Sequence, residues 1–178
     1  MIGQPGALTK KQLLQQIIRV NQAGEYGAKR IYAGQMAVLK DSPVYKTIKH
    51  MAEQEEEHLQ YFSGEISKRH VRPTALMPVW HVAGFALGAV TAMIGEKAAM
   101  ACTVAVEEVI DEHYQEQLAM LDDNESILKE KIEKFRNDEL EHRDIGIKNN
   151  AKDAIAYPVL HGAVRGATKL AIFLSKRI

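Results

Sequence analysis

The order of apolar and polar residues along this chain has the period of an α-helix over almost its whole length. Apolar positions recur every three to four residues, and the two-residue alternation that marks β-strands is nearly absent. Clusters of proline, glycine, aspartate and asparagine divide the pattern into six segments. The predicted helices run from Thr9 to about Lys40, from Pro43 to near Arg69, from about Val79 to Ile94, from about Glu96 to Leu121, from about Glu125 to Asn150, and from Pro158 to the C-terminus.

Capping residues mark the starts of the first two helices. The segment Thr9–Gln12 is a capping box, in which the hydroxyl of Thr9 and the amide of Gln12 bond free amides at the helix start. Ser42 is predicted to cap the second helix, with Pro43 as its first residue. Helices one, two, four and five have the length expected in a four-helix bundle. We therefore predict an all-α protein, a bundle of these four helices with an apolar crossover helix and a C-terminal amphipathic helix.

A glutamate stands near the middle of the apolar stripe on each of the four long helices. The stripe of helix one carries Glu25, and that of helix four carries Glu107. The other two stripes each add a histidine three residues after the glutamate, on the same face of the helix. These two stripes are Val44, Ile48, Met51, Glu55, His58 and Phe62 on helix two, and Leu128, Ile132, Phe135, Glu139, His142 and Gly146 on helix five.

The two halves of the chain repeat this pattern. Glu25 and Tyr32 recur 82 residues later as Glu107 and Tyr114, and the second Glu-x-x-His pair follows the first by 84 residues. A duplicated helix pair with a crossover between the copies accounts for the repeat.

Four carboxylates inside one bundle require a counter-charge, because an unpartnered buried carboxylate costs several kcal/mol. The stripes offer no lysine or arginine, whereas two divalent cations would neutralise four glutamates and two imidazoles would complete the ligand set. Mixed oxygen and nitrogen donors suit iron or manganese better than calcium or a structural zinc, and this is the donor set of ferritin-like di-iron proteins. The predicted metal ligands are Glu25, Glu55, His58, Glu107, Glu139 and His142.

A simpler interpretation is that the two Glu-x-x-His pairs lie on solvated helix faces, since two such pairs are unsurprising in a chain with this many glutamates. The register within the stripes, the partner glutamates and the repeat all argue against it. Zinc-protease chemistry is excluded because no His-Glu-x-x-His motif occurs.

Composition narrows the function classes further. Lysine plus arginine equals aspartate plus glutamate at 23 each, so the basic excess expected of a nucleic-acid-binding protein is missing. Cys102 is the only cysteine, which excludes disulfide frameworks, four-cysteine zinc sites and iron–sulfur clusters. The length of 178 residues and the 46% hydrophobic content predict a single domain over residues 1–178.

Several polar residues neighbour the predicted ligands. Tyr32 and Tyr114 are interpreted either as core tyrosines or as residues beside the metals, and Tyr114 and His113 are the candidate catalytic residues. The residues that could orient a ligand imidazole are Asp111, His113, Asp138 and Asp144. The acidic residues expected to be solvated are Glu53, Glu56, Glu57, Glu108, Glu112 and Glu141.

Four sequence runs resemble the demethoxyubiquinone hydroxylase family of ubiquinone biosynthesis, and the likeness extends from about Leu14 to Ile178. They are residues 23–28, 30–36, 101–108 and 138–146. The resemblance implies a di-iron monooxygenase that uses O2 to hydroxylate the ring of a polyprenyl methoxy-methyl benzoquinol, and the family's six ligands map onto the six residues predicted above. It also implies reducing equivalents from NADH, although the sequence contains no dinucleotide fingerprint.

Two segments bear on membrane association. Residues 79–95 form an apolar run without a charged side chain, short for a membrane span, so a buried crossover helix and an interfacial helix both remain open. Residues 151–178 carry five basic and one acidic side chain, which suits binding to anionic lipid. The segment Met1–Gly6 has the features of neither a signal peptide nor a transit peptide. The expected location is the cytoplasmic face of a bacterial inner membrane, or the matrix side of the mitochondrial one for a trimmed eukaryotic form.

Alternative functions and partners stay open at this point. The second candidate is a ferritin-like iron oxidase or peroxide-reducing protein, and the third is a non-enzymatic membrane scaffold that binds metal. Beyond the quinone and the membrane surface, the partners under consideration are a ubiquinone-biosynthesis complex, a lipid-binding accessory protein and a second copy of the chain. No nucleic-acid partner is expected.

Overall fold

The computed structural model describes residues 8–178 of the chain. All regular structure in this range is helical, which confirms the predicted all-α class. The prediction about a leader in residues 1–6 lies outside the described residues. The helices are α1 (Lys10–Val38), α2 (Tyr45–Lys68), α3 (Met77–Ile94), α4 (Glu96–Met120), α5 (Ser126–Lys148) and α6 (Tyr157–Ser175), with 3₁₀ turns at Asp123–Glu125 and Ala151–Asp153.

The predicted capping box is present, but the start of α2 was predicted wrongly. Thr9 accepts a hydrogen bond from the amide of Gln12, and the Gln12 side chain bonds the Thr9 backbone in return. Helix α2 begins at Tyr45 rather than at Pro43. The amide of Tyr45 bonds the carbonyl of Ser42 in a tight turn, so the regular helix starts two residues later than the sequence pattern indicates. The hydroxyl of Ser42 accepts from the Val44 amide at 3.1 Å within this turn.

The predicted stripes form the core of the bundle. Every member of the α2 and α5 stripes is buried, including the glutamates and histidines. On α1 and α4 the stripe residues are buried except for three half-buried members, which are Leu14 and Leu39 at the ends of the α1 stripe and Ile110 one turn after Glu107 on α4. Apolar residues on both sides of the glutamates along the bundle axis therefore pack the four helices together. The buried polar residues lie between these two apolar clusters.

The chain folds as two similar three-helix halves. Helix α1 packs against α2 and α3, and α4 packs against α5 and α6. Helices α3 and α6 both have a proline in their first turn. The repeat recognised in the sequence for the long helices thus extends to the two apolar helices, which cover corresponding sides of the bundle.

Glycines bring α3 unusually close to α1. A Cβ atom on Gly88 of α3 would lie 1.9 Å from the carbonyl oxygen of Ile31, and one on Gly34 of α1 would lie 2.2 Å from that of Phe85. Neither position has room for a side chain, so the two backbones pack directly against each other.

The outer face of α3 is apolar and exposed. Among residues 8–178, α3 is the one helix that is long and apolar enough to cross a membrane by length and composition, and 22% of it is buried within the protein. Helix α6 also exposes large apolar side chains. Its exposed large apolar residues, with those of α3, are Val79, Val82, Val90, Met93, Ile94, Val159, Leu170 and Phe173.

Candidate metal centre

Six buried side chains from four helices converge in the middle of the bundle. They form two groups, and within each group one donor atom from every residue lies within 4.8 Å of the others. Glu55 and Glu139 belong to both groups, so their carboxylates lie between two candidate metal positions. The first group is Glu25, Glu55, His58 and Glu139, and the second is Glu55, Glu107, Glu139 and His142.

The hydrogen bonding of these donors is incomplete, and this tests whether a cation fits. Both carboxylate oxygens of Glu55, one oxygen each of Glu107 and Glu139, and Nδ1 of His142 are buried without a hydrogen-bond partner. Nδ1 of His142 lies 3.1 Å from Glu139 and 3.3 Å from Glu55, but in directions that make no hydrogen bond. Within residues 8–178, no lysine or arginine forms an ion pair with any of the six. Donors that converge without bonding one another fit a bound cation, which would take the unused lone pairs.

The outer nitrogen of each imidazole is held by a residue from the opposite helix. Nδ1 of His58 faces Glu139 at 3.1 Å, while its Nε2 lies 3.1 Å from a carboxylate oxygen of Asp138. Nε2 of His142 lies 3.0 Å from the side-chain oxygen of Gln54. Both rings therefore turn Nδ1 inward, and the acceptors at Nε2 favour the tautomer that leaves Nδ1 free to bind a metal.

Two tyrosines cross the bundle to hold the remaining glutamates. The hydroxyl of Tyr32 on α1 donates to Glu107 on α4 at 2.9 Å, and the hydroxyl of Tyr114 on α4 donates to Glu25 on α1. Burial and the neighbouring carboxylates, Glu107 for Tyr32 and Glu25 for Tyr114, raise the pKa of both tyrosines well above its usual value. Both hydroxyls therefore keep their protons and act as donors, and a catalytic role for Tyr114 stays a prediction.

The charges within the centre are uneven. Burial raises the pKa of Glu55 and of Glu107 well above the usual value, and Glu139 adds to the effect on both. For Glu139, the opposing effect of burial is outweighed by the two imidazoles beside it, those of His142 and His58, which lower its pKa to about 2. Burial likewise opposes protonation of His58, but Glu139 and Glu25 raise its pKa to about 12. A cation bound here must therefore displace protons from the carboxyl and imidazole groups.

Of the residues considered for orienting an imidazole, the structure places Asp138 on one. Asp111 instead bonds Arg136 at 2.5 Å, and Asp144 bonds the neighbouring Arg143. Gln54, which holds the second imidazole, was not singled out from the sequence. Its signal was available, because Gln54 precedes Asp138 by the same 84 residues that separate the two Glu-x-x-His pairs.

His113 lies in a separate hydrogen-bond cluster. Its Nε2 is 2.7 Å from the side-chain nitrogen of Gln117, which also bonds Asn21. Burial, with a smaller contribution from Lys176, lowers the pKa of His113 to about 4, so the ring is neutral and accepts the hydrogen bond. The hydrogen bond of His113 connects it to the side-chain amides of Gln117 and Asn21. A catalytic role for His113 stays a prediction.

Glu108 and Glu112 were expected to be solvated, and both pair with α6. Glu108 is half-buried and accepts from Arg165 at 2.6 Å and from His161 at 3.0 Å. Glu112 is exposed and pairs with Arg165 and Lys169. These ion pairs hold α6 against α4, so part of the basic charge assigned to lipid binding is neutralised within the protein.

An apolar cavity of about 250 Å³ lies beside the centre, enclosed by α1, α3, α4 and α6. Trp80, Leu87 and Ile172 line its outer part. Ala28 and Val106 line both this cavity and a smaller void that reaches Tyr32 and Glu107. The cavity and the metal centre are therefore separated by a single layer of side chains.

Comparison with known proteins places the chain in a family. Residues 12–175 match the family described as "Ubiquinone biosynthesis protein COQ7". The chain belongs to this family. The match covers nearly the whole sequence and confirms the resemblance recognised from the four sequence runs, and with it the hydroxylase class of enzyme.

Curated relatives of the COQ7 family are similar over almost the full chain. The chain is 54% identical over 175 residues to "3-demethoxyubiquinol 3-hydroxylase" of Rhodospirillum rubrum, covering 98% of this chain and 82% of that protein. It is 52% identical over 166 residues to the human "NADPH-dependent 3-demethoxyubiquinone 3-hydroxylase, mitochondrial", covering 91% and 76%. It is 41% identical over 182 residues to "5-demethoxyubiquinone hydroxylase, mitochondrial" of Saccharomyces cerevisiae, covering 93% and 78%.

Proposed function

We propose that this COQ7-family chain is a di-iron monooxygenase with a ferritin-like bundle that hydroxylates the ring of a polyprenyl demethoxyubiquinol. One oxygen atom of O2 would enter the ring and the other would leave as water. The observation that carries the proposal is the convergence of six buried donors, with unused lone pairs, beside an apolar cavity. The names of the relatives supply the substrate class.

The residues of the two groups would hold the pair of ions. Glu55 and Glu139 would contribute to both positions, Glu25 and His58 to the first position alone, and Glu107 and His142 to the second alone. Bound iron would supply the redox chemistry that activates O2, which amino-acid side chains lack. Tyr32 and Tyr114 hold the terminal carboxylates Glu107 and Glu25 in place through their hydroxyl protons.

The cavity provides the second requirement, an apolar route for a quinol ring. Its walls are made almost entirely of aliphatic and small side chains, together with Trp80, so it excludes water from the side of the centre that the ring would approach. At its outer edge, Trp80 donates a hydrogen bond to Ser175 at 3.0 Å, which ties α3 to α6. Ala28 and Val106 line the cavity on the side of Tyr32 and Glu107, so these side chains would have to move for the quinol ring to reach the centre.

We infer that the exposed apolar surface of α3 and α6 rests on a membrane that holds the lipid-soluble substrate. The cavity lies between these two helices, so a quinol could enter from the lipid without crossing water. Because Arg165 and Lys169 are paired with α4, attraction to anionic lipid would come from the other basic residues of this segment, Lys152, Lys176 and Arg177. The proposed location is the cytoplasmic face of a bacterial inner membrane, or the mitochondrial matrix side for a eukaryotic form. Several relatives are named mitochondrial.

The reductant is proposed to be a nicotinamide nucleotide. The sequence resemblance implies NADH, whereas the names of the human and Dictyostelium relatives specify NADPH. Single-turnover reduction of the iron-loaded protein with each nucleotide, with and without the quinone substrate, distinguishes the two. A rate that depends on added quinone would indicate that the quinone relays the electrons.

The proposal is tested by supplying purified, iron-loaded, reduced protein with a demethoxyubiquinol and ¹⁸O2. We expect a product heavier by one labelled oxygen atom. The matched control is the same reaction with Glu107→Ala, which removes one donor from the second group. No mass gain, together with rapid oxidation of added ferrous iron or turnover of peroxide, would support the iron oxidase or peroxide-reducing alternative. If neither reaction occurs in protein that binds metal, a scaffold role is favoured.

A further inference from the structure

We propose that Asp138 and Gln54 make the two metal positions unequal, so that the position served by His58 binds a divalent cation more tightly than the position served by His142. Asp138 would be a positioning residue that acts through the imidazole of His58. This inference rests on the proposed metal centre and concerns the order in which its two positions fill.

The two positions are otherwise closely matched. Each has three carboxylates and one imidazole, and each shares the carboxylates of Glu55 and Glu139. Each position also has one glutamate that the other lacks, Glu25 in the first and Glu107 in the second. Each of these glutamates accepts a hydrogen bond from a tyrosine on the opposite helix. All six donors are buried. Differences in donor type, in hydrogen bonding of the terminal carboxylate and in burial therefore contribute little to any difference in affinity.

The inner nitrogens differ before a cation binds, since Nδ1 of His58 bonds Glu139 and Nδ1 of His142 has no partner, but a cation would take Nδ1 in both rings. The difference that persists lies at the outer nitrogens of the imidazoles. Nε2 of His58 faces a carboxylate oxygen of Asp138 at 3.1 Å, whereas Nε2 of His142 faces the amide oxygen of Gln54 at 3.0 Å. A carboxylate is a stronger acceptor than an amide because it carries a full negative charge. It draws the Nε2 proton more strongly, which makes Nδ1 a better electron donor to a metal.

The surroundings of Asp138 and Gln54 reduce the difference without removing it. Lys134 lies 3.2 Å from the same oxygen of Asp138, but its side chain is largely exposed, so water screens much of its charge. Asp138 is mostly buried. Within residues 8–178, Gln54 has no ion-pairing neighbour that would give its amide a comparable charge. The carboxylate therefore remains the stronger of the two acceptors.

The experiment is an anaerobic titration of the full chain with Fe²⁺, in which calorimetry measures the heat of each binding step. We expect two binding steps of unequal affinity in the unmodified protein. In Asp138→Asn the tighter step should weaken by about 10–100-fold, the usual effect of losing such an outer contact, so that the two steps approach each other. In Gln54→Glu the weaker step should tighten and approach the stronger one.

Two control variants change the same charges away from the imidazoles. Asp144→Asn removes a carboxylate from α5 that bonds Arg143, and Gln60→Glu adds one to an exposed position on α2. Both should leave the two affinities as they are. Thermal unfolding of all four variants checks that the bundle is intact, and a purely structural role for Asp138 would lower the melting temperature without moving one binding step selectively.

Single-position backgrounds assign each step. Glu107→Ala leaves the complete donor set at the His58 position, and Glu25→Ala leaves it at the His142 position. Adding Asp138→Asn should weaken Fe²⁺ binding strongly in the first background and little in the second. Equal effects in both backgrounds, or no difference between Asp138→Asn and Asp144→Asn, would overturn this inference while leaving the metal centre in place. If the unmodified chain binds no Fe²⁺ at all, the proposed function itself fails.

Discussion

Two groups of buried polar side chains occupy neighbouring levels of the same bundle core, and they differ in how fully their hydrogen bonds are made. One is the amide cluster of Asn21, His113 and Gln117. Asn21 and Gln117 exchange two hydrogen bonds at 2.8 and 2.6 Å, and the second amide proton of Gln117 reaches His113 at 2.7 Å. The other is the metal centre, in which five donor atoms have no partner.

This is the difference expected between a polar group that stabilises the fold and one that binds a ligand. Each side chain of the amide cluster is neutral and hydrogen-bonded. The cluster therefore fixes the register of α1 against α4 at little cost in free energy for burying its polar groups. The metal centre concentrates four carboxylates whose burial the protein alone does not compensate. Substitutions in the amide cluster should therefore change stability, whereas substitutions in the metal centre should change metal binding and catalysis.

The largest effect is expected from Glu107→Ala. This change removes a donor from the second metal position, so hydroxylation should be abolished, while far-ultraviolet circular dichroism should show nearly unchanged helix content. Glu108→Ala is the adjacent control, since Glu108 points to Arg165 on α6. It should loosen α6 and reduce activity mildly. Similar losses of activity in the two variants would show that the register of α4 is misassigned.

Chelation is the next test of the comparison. If cations neutralise the metal centre, their removal should lower the melting temperature and their return should restore it. At a metal concentration a hundredfold above Kd the contribution is about 2.7 kcal/mol, equivalent to about 5–10 °C for a chain of this size. Scanning calorimetry before and after chelation measures it. A melting temperature indifferent to chelation would contradict a metal-compensated core.

Gln117→Leu disrupts the amide cluster and leaves the metal centre unchanged. The substitution leaves Asn21 and His113 buried without their partner, which should cost about 1–3 kcal/mol for each unsatisfied group. Fe²⁺ stoichiometry should stay at two per chain. Gln115→Leu is the matched control, because Gln115 is exposed and bonds Asp111 on the surface, and its effect on the denaturation midpoint should be small. Loss of metal binding in Gln117→Leu would show that the two clusters depend on each other.

The same two clusters show how far sequence reasoning reaches. The stripe register placed all six donors correctly in the interior, because helical periodicity and a buried stripe determine which side chains can meet. It did not indicate that Glu55 and Glu139 would be common to both groups, or that Tyr32 and Tyr114 would each bond the glutamate of the other helix. These features depend on the relative rotation and shift of packed helices, which the period of one helix does not contain.

Long-range ion pairs were missed for a similar reason. Glu108 and Glu112 follow the period of the exposed face of α4, so they were assigned to solvent. The sequence does not specify that α6 returns against that face with Arg165 and Lys169. The repeat between the two halves does indicate where α6 lies, since α6 occupies in the second half the place that α3 occupies in the first.

The most diagnostic prediction is the pH dependence of stability. In the chelated protein, the pKa values of Glu55 and Glu107 are raised, so their contribution to stability is complete below the usual value of 4.5 and is lost as pH rises. The pKa of His58, raised from 6.5 to about 12, gives a loss in the same direction above pH 6.5. Each proton by which the folded and unfolded states differ changes the unfolding free energy by about 1.4 kcal/mol per pH unit.

The amide cluster contributes with the opposite sign. Because the pKa of His113 is lowered to about 4, its contribution is complete above 6.5 and is lost as pH falls through 4. Between pH 4.5 and 6.5 this one-proton contribution opposes the larger one of Glu55 and Glu107, so in the chelated protein the alkaline limb covers the range from pH 4.5 to 9. Melting temperatures should decline as pH rises over that range, and His113→Gln should steepen the decline below pH 6.5 alone. Metal loading should flatten the alkaline limb alone, because a cation takes the place of the protons that Glu55 and Glu107 would otherwise retain. An alkaline limb that persists in the metal-loaded protein would mean that the carboxylates are not the groups the cation neutralises.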